Sequence, residues 1–528
     1  MQFSIKLIFL LILAVLLAGC APLPAPETPT ATLEPGPTVT PTFSGPTPTA
    51  LPKRPTYLPG DLVEYIAQSG DTLPALAKRF NTSVAEIREA NPVIPPDATT
   101  MPPGFPMLIP IYYRSFWGTP YQVVPDSLFV NGPAAADFDV AEFAGQYRGW
   151  INTYVEYAVG ENRTGPELIE LVASNYSISP QFLLAISEYL AGALTDPALP
   201  ETSAAYPLRY RSPSYQGYYR QLIWLANQLN NGYYNWRTGD LLELELADGT
   251  IERPDPWQNA ATVSLQRFFS IIMPADQYRL AISPEGFGKT WAELYGNPWP
   301  EAEPHIPGSL RQPSLLLPYP AGKVWAHTGG PHTGWGSGQP LAAVDFAPAS
   351  KISGCYLSNE WTTAMSDGEV TRSEPGFLML DLDMDGDERT GWVLFYLHIE
   401  GRDLAPLGKV VSAGEPIGHP SCDGGSSTGT HVHIARKYNG EWMLADSEVP
   451  FVMEGWRVRA GERVYLGYLE RFERTVTACD CATLDTNLLA TGNFDGSPFV
   501  GPTPTPVPTI PPVLVPTVEP TLEPTPTP

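Results

Sequence analysis

The stretch GTHVHIA, residues 429–435, places His431 and His433 one residue apart in a run that otherwise reads as a β-strand. Successive strand side chains point to opposite faces, so residues i and i+2 share one. Two imidazoles therefore project side by side. All seven histidines of the chain lie between His305 and His433, and residues 311–450 are rich in glycine and in short β-like runs such as WVLFYLHI. Other donors for the same spot are to be sought there.

Zinc catalysis needs three protein ligands and an open fourth position. Donors are offered by GGPHTGWGSGQPLAAVDFAP (329–348), LFYLHIEG (394–401) and GTHVHIA. With AMSDGEV, GKVVSAGEPIGHPS and STGTHVHIA between and around them, these segments resemble the M23 family of zinc endopeptidases, the lysostaphin-like and β-lytic enzymes. The resemblance spans most of residues 318–440 and implies a mainly antiparallel-β peptidase domain at 311–450. Carried over residue by residue, it implies His332, Asp345 and His433 as ligands of Zn2+, with His398 and His431 as the catalytic pair beside them. Many members place the first histidine four residues before the aspartate, but that position is Leu341 here. His332 stands thirteen residues before Asp345, a spacing similar to the β-lytic branch, while His327 in WAHTGG competes for the same role. All five positions carry residues able to serve. That favours an active enzyme over a catalytically inert, wall-binding scaffold that regulates other hydrolases.

Residues 57–113 predict a separate small unit. VEYIAQSG and MLIPI are strand-like, and Leu73, Leu76, Ala77 and Phe80 fall at the i, i+3, i+4, i+7 spacing of an amphipathic helix. SVAEIREAN opens on a Ser83-x-x-Glu86 capping box. This β-α-α-β order, with SGDTL, ANP and PPGFPMLIPI, resembles a LysM module. Such modules bind N-acetylglucosamine-containing glycans such as peptidoglycan, and the resemblance implies a groove formed by Gly70, Asp71 and Thr72 and by the loop after Asn91.

The chain of 528 residues carries 31 Lys and Arg against 56 Asp and Glu, a formal charge of −25. That argues against nucleic acid, which needs a basic patch. The 60 prolines point to linkers. Residues 21–56 and 499–528 are Pro/Thr-rich segments expected to be disordered and extended. Residues 1–20 read as an export signal, since the apolar run from Leu7 to Leu17 is too short for a membrane span. LAGC at its end resembles a bacterial lipobox. The resemblance implies lipid attachment at Cys20, a membrane anchor and an extracytoplasmic location in the cell envelope. In that oxidising setting disulfides persist. Four further cysteines allow three connectivities, of which Cys355–Cys422, flanking the candidate site, is preferred. Cys479 and Cys481 lack the partners of a zinc site.

Residues 114–310 predict a mainly helical domain with no evident role. It carries a Thr164-x-x-Glu167 cap and Pro180 following Ser179 at a helix start. The segment around Glu188 distantly resembles lytic transglycosylases, but Glu188 is followed by Tyr189 rather than by serine, so a structural carboxylate is the preferred reading. Asp381, Asp383 and Asp385 form a D-x-D-x-D-G run suited either to Ca2+ or to a solvated hairpin turn; Trp392 stands where an EF-hand loop ends in glutamate. Residues 451–498 read as a β appendage covering the peptidase domain. The function implied is a wall-held endopeptidase that cuts peptide stems or cross-bridges of peptidoglycan.

Overall fold

The structure is a computed structural model, and it describes residues 54–300, 302–480 and 483–494. The export signal, Cys20, nearly all of the first Pro/Thr-rich segment, Cys481 and the Pro/Thr-rich tail lie outside the described residues.

The small N-terminal unit forms as its sequence pattern predicts. Strand β1 (Asp61–Ile66) pairs antiparallel with β2 (Pro106–Ile111), and helices α1 (Leu73–Arg79) and α2 (Val84–Ala90) lie between them in the chain. Leu73, Leu76, Ala77 and Phe80 are all buried in one core. Ser83 and Glu86 complete the reciprocal cap of α2, which satisfies N–H groups that the helix itself cannot.

The middle region is built on α3 (Gly165–Tyr176), α4 (Pro180–Ala191), α5 (Tyr218–Arg237) and α6 (Ala260–Ile272). The Thr164–Glu167 capping box is present. The α4 start keeps Pro180 in its first turn, but the Ser179 side chain makes no cap. Glu188 serves the other end of α4. Its carboxylate accepts from the N–H groups of Leu194 and Thr195 and from the Thr195 hydroxyl, at 2.7, 3.3 and 2.6 Å. The structural reading of this carboxylate is thus the one its contacts fit.

The C-terminal part is organised around a nine-stranded antiparallel sheet. Its strands are β3 (Val324–His332), β4 (Ala343–Pro348), β5 (Gly368–Glu374), β6 (Gly376–Asp381), β7 (Trp392–Ile399), β8 (Val410–Val411), β9 (Val432–Tyr438) and β10 (Glu441–Trp442). A last strand completes it from far along the chain. The spatial order is β8-β5-β6-β7-β9-β4-β3, with β10 hairpinned on β9. Alternation divides the side chains between two cores. Val344, Phe346, Leu394, Tyr396, Val432 and Ile434 fill one face. Ala343, Val393, Phe395, Leu397 and Ala435 pack on the other, in the same core as the helical region. The helical region therefore covers the face of the sheet to which His433 belongs.

Residues 451–494 are more than a covering appendage. Strands β11 (Val452–Met453), β12 (Trp456–Ala460), β13 (Gly467–Arg471) and β14 (Arg474–Thr477) form a meander. Strand β15 (Asn487–Leu489) then pairs with β3 and closes the edge of the main sheet.

Candidate metal centre

Register decides which histidines meet. In β9, His433 lies directly opposite Asp345 of β4 on one side and Leu397 of β7 on the other. Directly opposed residues point to the same face, so His433 and Asp345 share the face turned to the helical region. In β3, His327 is paired with Phe346, and His332 with Ala343. The two residues are five apart, so alternation puts them on opposite faces, and the two irregularities between them cancel. His327 thus lies with Phe346, its ring 5.5 Å from that ring, whereas His332 joins the face of Asp345. The competing first ligand is buried elsewhere, and burial pushes its imidazole down to about 4.

His332, Asp345 and His433 form a buried cluster of possible metal-ligating groups. His332 Nε2 is 2.9 Å from His433 Nδ1 and 3.2 Å from Asp345 Oδ1, and His433 Nδ1 is 3.3 Å from the same oxygen. Three donors about 2 Å from a tetrahedral centre stand roughly 3.3 Å from one another. The Asp345 Oδ1 atom is buried and accepts no hydrogen bond. A buried acceptor without a donor is costly, and a cation at the centre of this triangle satisfies it. The residues present therefore fit zinc.

The other ring nitrogens explain why. His332 Nδ1 is 2.8 Å from the Gly330 carbonyl, and His433 Nε2 is 3.1 Å from the Gly334 carbonyl. A carbonyl only accepts, so these nitrogens carry the protons and donate. The lone pairs of His332 Nε2 and His433 Nδ1 are left facing Asp345, as second partners of metal-bound histidines do. Gly329 makes room for the carboxylate, since a Cβ there would lie 2.3 Å from Asp345 Oδ2. Burial opposes charge on Asp345, but the imidazoles of His332, His433 and His431 hold its carboxyl well below the usual range. Burial pushes His433 down, whereas Asp345 outweighs burial at His332 and raises it.

His398 and His431 stand beside the cluster, their rings 4.5 Å apart. His431 Nε2 is 3.7 Å from Asp345 Oδ1. Simple alternation would send His398 to the face opposite Leu397 and His433. A bulge intervenes: Gly376 and Phe377 face Ile399 and Leu397, so His398 is the extra residue, with φ of 64°. Bulges of this kind re-aim a side chain at the expense of one ladder position. His398 Nδ1 donates to the Asp423 carbonyl at 2.7 Å, and His431 Nδ1 to the Gly429 carbonyl at 2.7 Å. Each Nδ1 thus carries a proton, and Nε2 is the nitrogen left free of these carbonyls. Burial, then the neighbouring His431, lowers His398 to about 4, so it is neutral at pH 7.

Several parts of the chain are similar to known proteins. The family LysM domain matches residues 65–110, and the family described as LasA, N-terminal domain, matches residues 122–307. Protease LasA of Pseudomonas aeruginosa is 24% identical over 336 residues, covering 60% of this chain and 74% of that protein. Beta-lytic metalloendopeptidase of Lysobacter enzymogenes is 27% identical over 169 residues, covering 30% of this chain and 88% of that protein. The chain thus carries a LysM module and resembles M23-type zinc metallopeptidases. The M23 domain also matches the solved "Novel M23 Metalloprotease Pseudoalterin from Deep-sea" at 26% identity, over 32% of this chain and 96% of that one, with a TM-score of 0.27 that carries no weight by itself. The helical region, without evident role in the sequence, is the part similar to the LasA N-terminal domain.

One residue of the site was not foreseen. Tyr465, between β12 and β13, stacks on His332 with ring centroids 4.2 Å apart and planes 21° apart. Two main-chain bonds hold it there: Gly330 N–H donates to its carbonyl at 2.8 Å, and its own N–H donates to the Pro331 carbonyl at 3.2 Å. Burial and the Asp345 charge raise its phenol pKa. Its only signal in the sequence is an aromatic residue in the glycine-flanked run GERVYLG.

Cys355 and Cys422 are joined, with Cα atoms 5.9 Å apart. Asp381, Asp383 and Asp385 lie together, but the Asp381 carboxylate is occupied by the N–H groups of Asp383 and Gly386 at 3.2 and 3.0 Å. That is the bonding of a turn, and it does not support calcium. In the LysM module, Asp71 and Asn91 are turned inward. Asp71 accepts from Tyr65 and pairs with Arg79 at 2.8 Å. Asn91 bonds the main chain of Ile87 and Leu108. Their side chains brace the two loops, while Gly70 and Thr72 lie partly exposed. Among the described residues no helix is long and apolar enough to cross a membrane.

Proposed function

We propose that this metallopeptidase acts in the cell envelope, where it cleaves peptide stems or cross-bridges of peptidoglycan while its LysM module engages wall glycan. The observation that supports the reading best is the triangle of His332, Asp345 and His433 with its unsatisfied buried carboxylate oxygen, beside which the rings of His398 and His431 stand. His332, Asp345 and His433 would hold zinc, which supplies Lewis acidity and lowers the pKa of water to about 7. His398 and His431 would take the proton that the attacking water gives up. Each is held by a carbonyl through its Nδ1–H, which leaves Nε2 to accept that proton and return it to the departing amine. The complete set favours this reading over the catalytically inert scaffold.

In this reading glycan lies between the Gly70–Thr72 loop and the loop after Asn91. Export and lipid attachment at Cys20 would place the enzyme outside the cytoplasm, beside its substrate. Digestion of purified peptidoglycan followed by mass spectrometry tests the proposal. New free amino groups on stem or cross-bridge peptides are expected. Fragments ending in cut sugars, or no fragments at all, would overturn it.

A further inference from the structure

The LysM module does not stand free. Residues 305–311, which join the helical region to the M23 domain, run across both of its loops. From the first loop, the Ser69 hydroxyl accepts from the Ile306 N–H at 2.9 Å. From the second, the Thr99 hydroxyl donates to the Leu310 carbonyl at 2.8 Å and the Thr100 hydroxyl to the Pro307 carbonyl at 2.7 Å. The Ser309 N–H donates to the Thr100 carbonyl at 2.8 Å in return. Contact is close enough that a Cβ on Gly308 would lie 2.6 Å from Pro102.

The two sides of this segment differ in chemistry. Its apolar side chains, Ile306 and Leu310, are buried with Met443 and Val449 of the M23 domain. What the LysM loops hold is polar: its main chain, through hydroxyls and carbonyls, the Arg311 side chain, paired with Asp97 at 2.8 Å, and the His305 ring, 3.3 Å from the Ser69 hydroxyl. A glycan presents hydroxyls and amides, so it would compete for the same kind of polar groups. Apolar anchoring makes the segment stay with the M23 domain, and polar contacts exchangeable for water make the LysM side the one that parts. Ser309 holds φ at 53°, a left-handed conformation unfavourable for a residue with a Cβ. It is kept by the bond to Thr100.

We propose that the LysM module is self-docked: residues 305–311 stand where glycan would lie, and the module must undock from them before it binds the wall. The inference rests on the glycan-binding reading of the two loops. It makes wall engagement and the compact arrangement of the chain mutually exclusive states. The apparent affinity for glycan is then reduced by the undocked fraction.

Two substitutions shift that fraction without changing any LysM residue. Gly308→Val pushes Pro102 away. Ser309→Pro removes the N–H held by Thr100 and cannot adopt the positive φ. Titration of a soluble N-acetylglucosamine oligomer into the full chain and both variants should show at least tenfold tighter binding by the variants. In the parent chain, saturating oligomer should speed hydrogen exchange of the Ile306, Ser309 and Leu310 amides. That second reading needs no variant to fold. Equal affinity in all three proteins, with exchange at these amides unmoved by ligand, overturns self-docking and leaves the glycan role of the module standing. Binding by none of them overturns the glycan role, and self-docking with it.

Discussion

His332 Nε2 and His433 Nδ1 lie 2.9 Å apart, each ring donating its other nitrogen to a main-chain carbonyl. Two lone pairs aimed at each other repel, so the arrangement is stable only with a cation between them or a proton on one. His332→Ala should therefore lose bound zinc and all measurable turnover, because two ligands hold a catalytic zinc poorly. His327→Ala should keep a full equivalent of metal, since that ring lies on the opposite face beside Phe346. Metal analysis of the two purified variants checks this. Zinc retained by the first and lost by the second would reverse the assignment.

His398 and His431 should behave differently again. Neither belongs to the cluster of ligands, yet both rings stand beside it. Replacing either by alanine should leave zinc in place and lower kcat by on the order of 10²–10⁴-fold, the usual worth of a positioned proton carrier. The KM of a soluble peptide should change little. Loss of metal in His398→Ala would show that this ring supports the ligands instead.

Much of this site was legible because it depends on local pattern. The pairing of His431 with His433 follows from strand alternation alone, and the caps at Ser83 and Thr164 follow from spacing. Other parts depend on events that pattern does not encode. His398 reaches the site through a bulge, and the choice of His332 over His327 turns on which face of β3 its pairing with β4 aligns with Asp345. The carbonyls that fix the tautomers belong to Gly330, Gly334, Asp423 and Gly429, and main chain carries no sequence signature. Tyr465 and β15 arrive from remote segments, so their contacts were invisible before the chain was folded. Seating of the LysM loops on residues 305–311 is remote in the same way.

Tyr465 offers a test of such a remote contact. Its ring covers one side of His332, and partners of this kind set ligand orientation. Tyr465→Ala should weaken zinc affinity roughly 10–100-fold, the range seen when such support is removed. Tyr465→Phe keeps the stack and should keep the metal. Competition against a chromogenic chelator measures both. Equal affinity in all three proteins would show that the stack is incidental to binding, and a loss of turnover in Tyr465→Phe with its zinc affinity unchanged would assign the hydroxyl to chemistry.

The last prediction concerns the joint between regions. Glu441, on β10 next to the metal-bearing strand, accepts from Tyr233 at 2.8 Å, from Arg237 at 3.0 Å and from His305 at 2.6 Å. Arg237 also lies 3.3 Å from Asp126 and bonds the Ser69 carbonyl of the LysM module. One carboxylate thus ties the M23 domain to the helical region and, through Arg237, to the module. Burial opposes its charge, but Arg237 and then His305 outweigh burial and hold the carboxyl down at about 2. A carboxyl depressed in the folded state adds stability that is complete above its unfolded pKa, near 4.5, and is lost as pH falls through the folded value. The joint should accordingly be at full strength at pH 6 and weaken between about pH 4.5 and 2. Glu441→Gln removes the charge at every pH and leaves Arg237 paired with Asp126, so the loss should fall below the roughly 3–5 kcal/mol seen when a buried charge is left with no partner. Thermal unfolding should therefore show the parent chain losing stability across that acid window. The variant should begin lower and show a flatter dependence on pH there. Parallel pH curves for the two proteins would place the acid sensitivity in some other carboxylate.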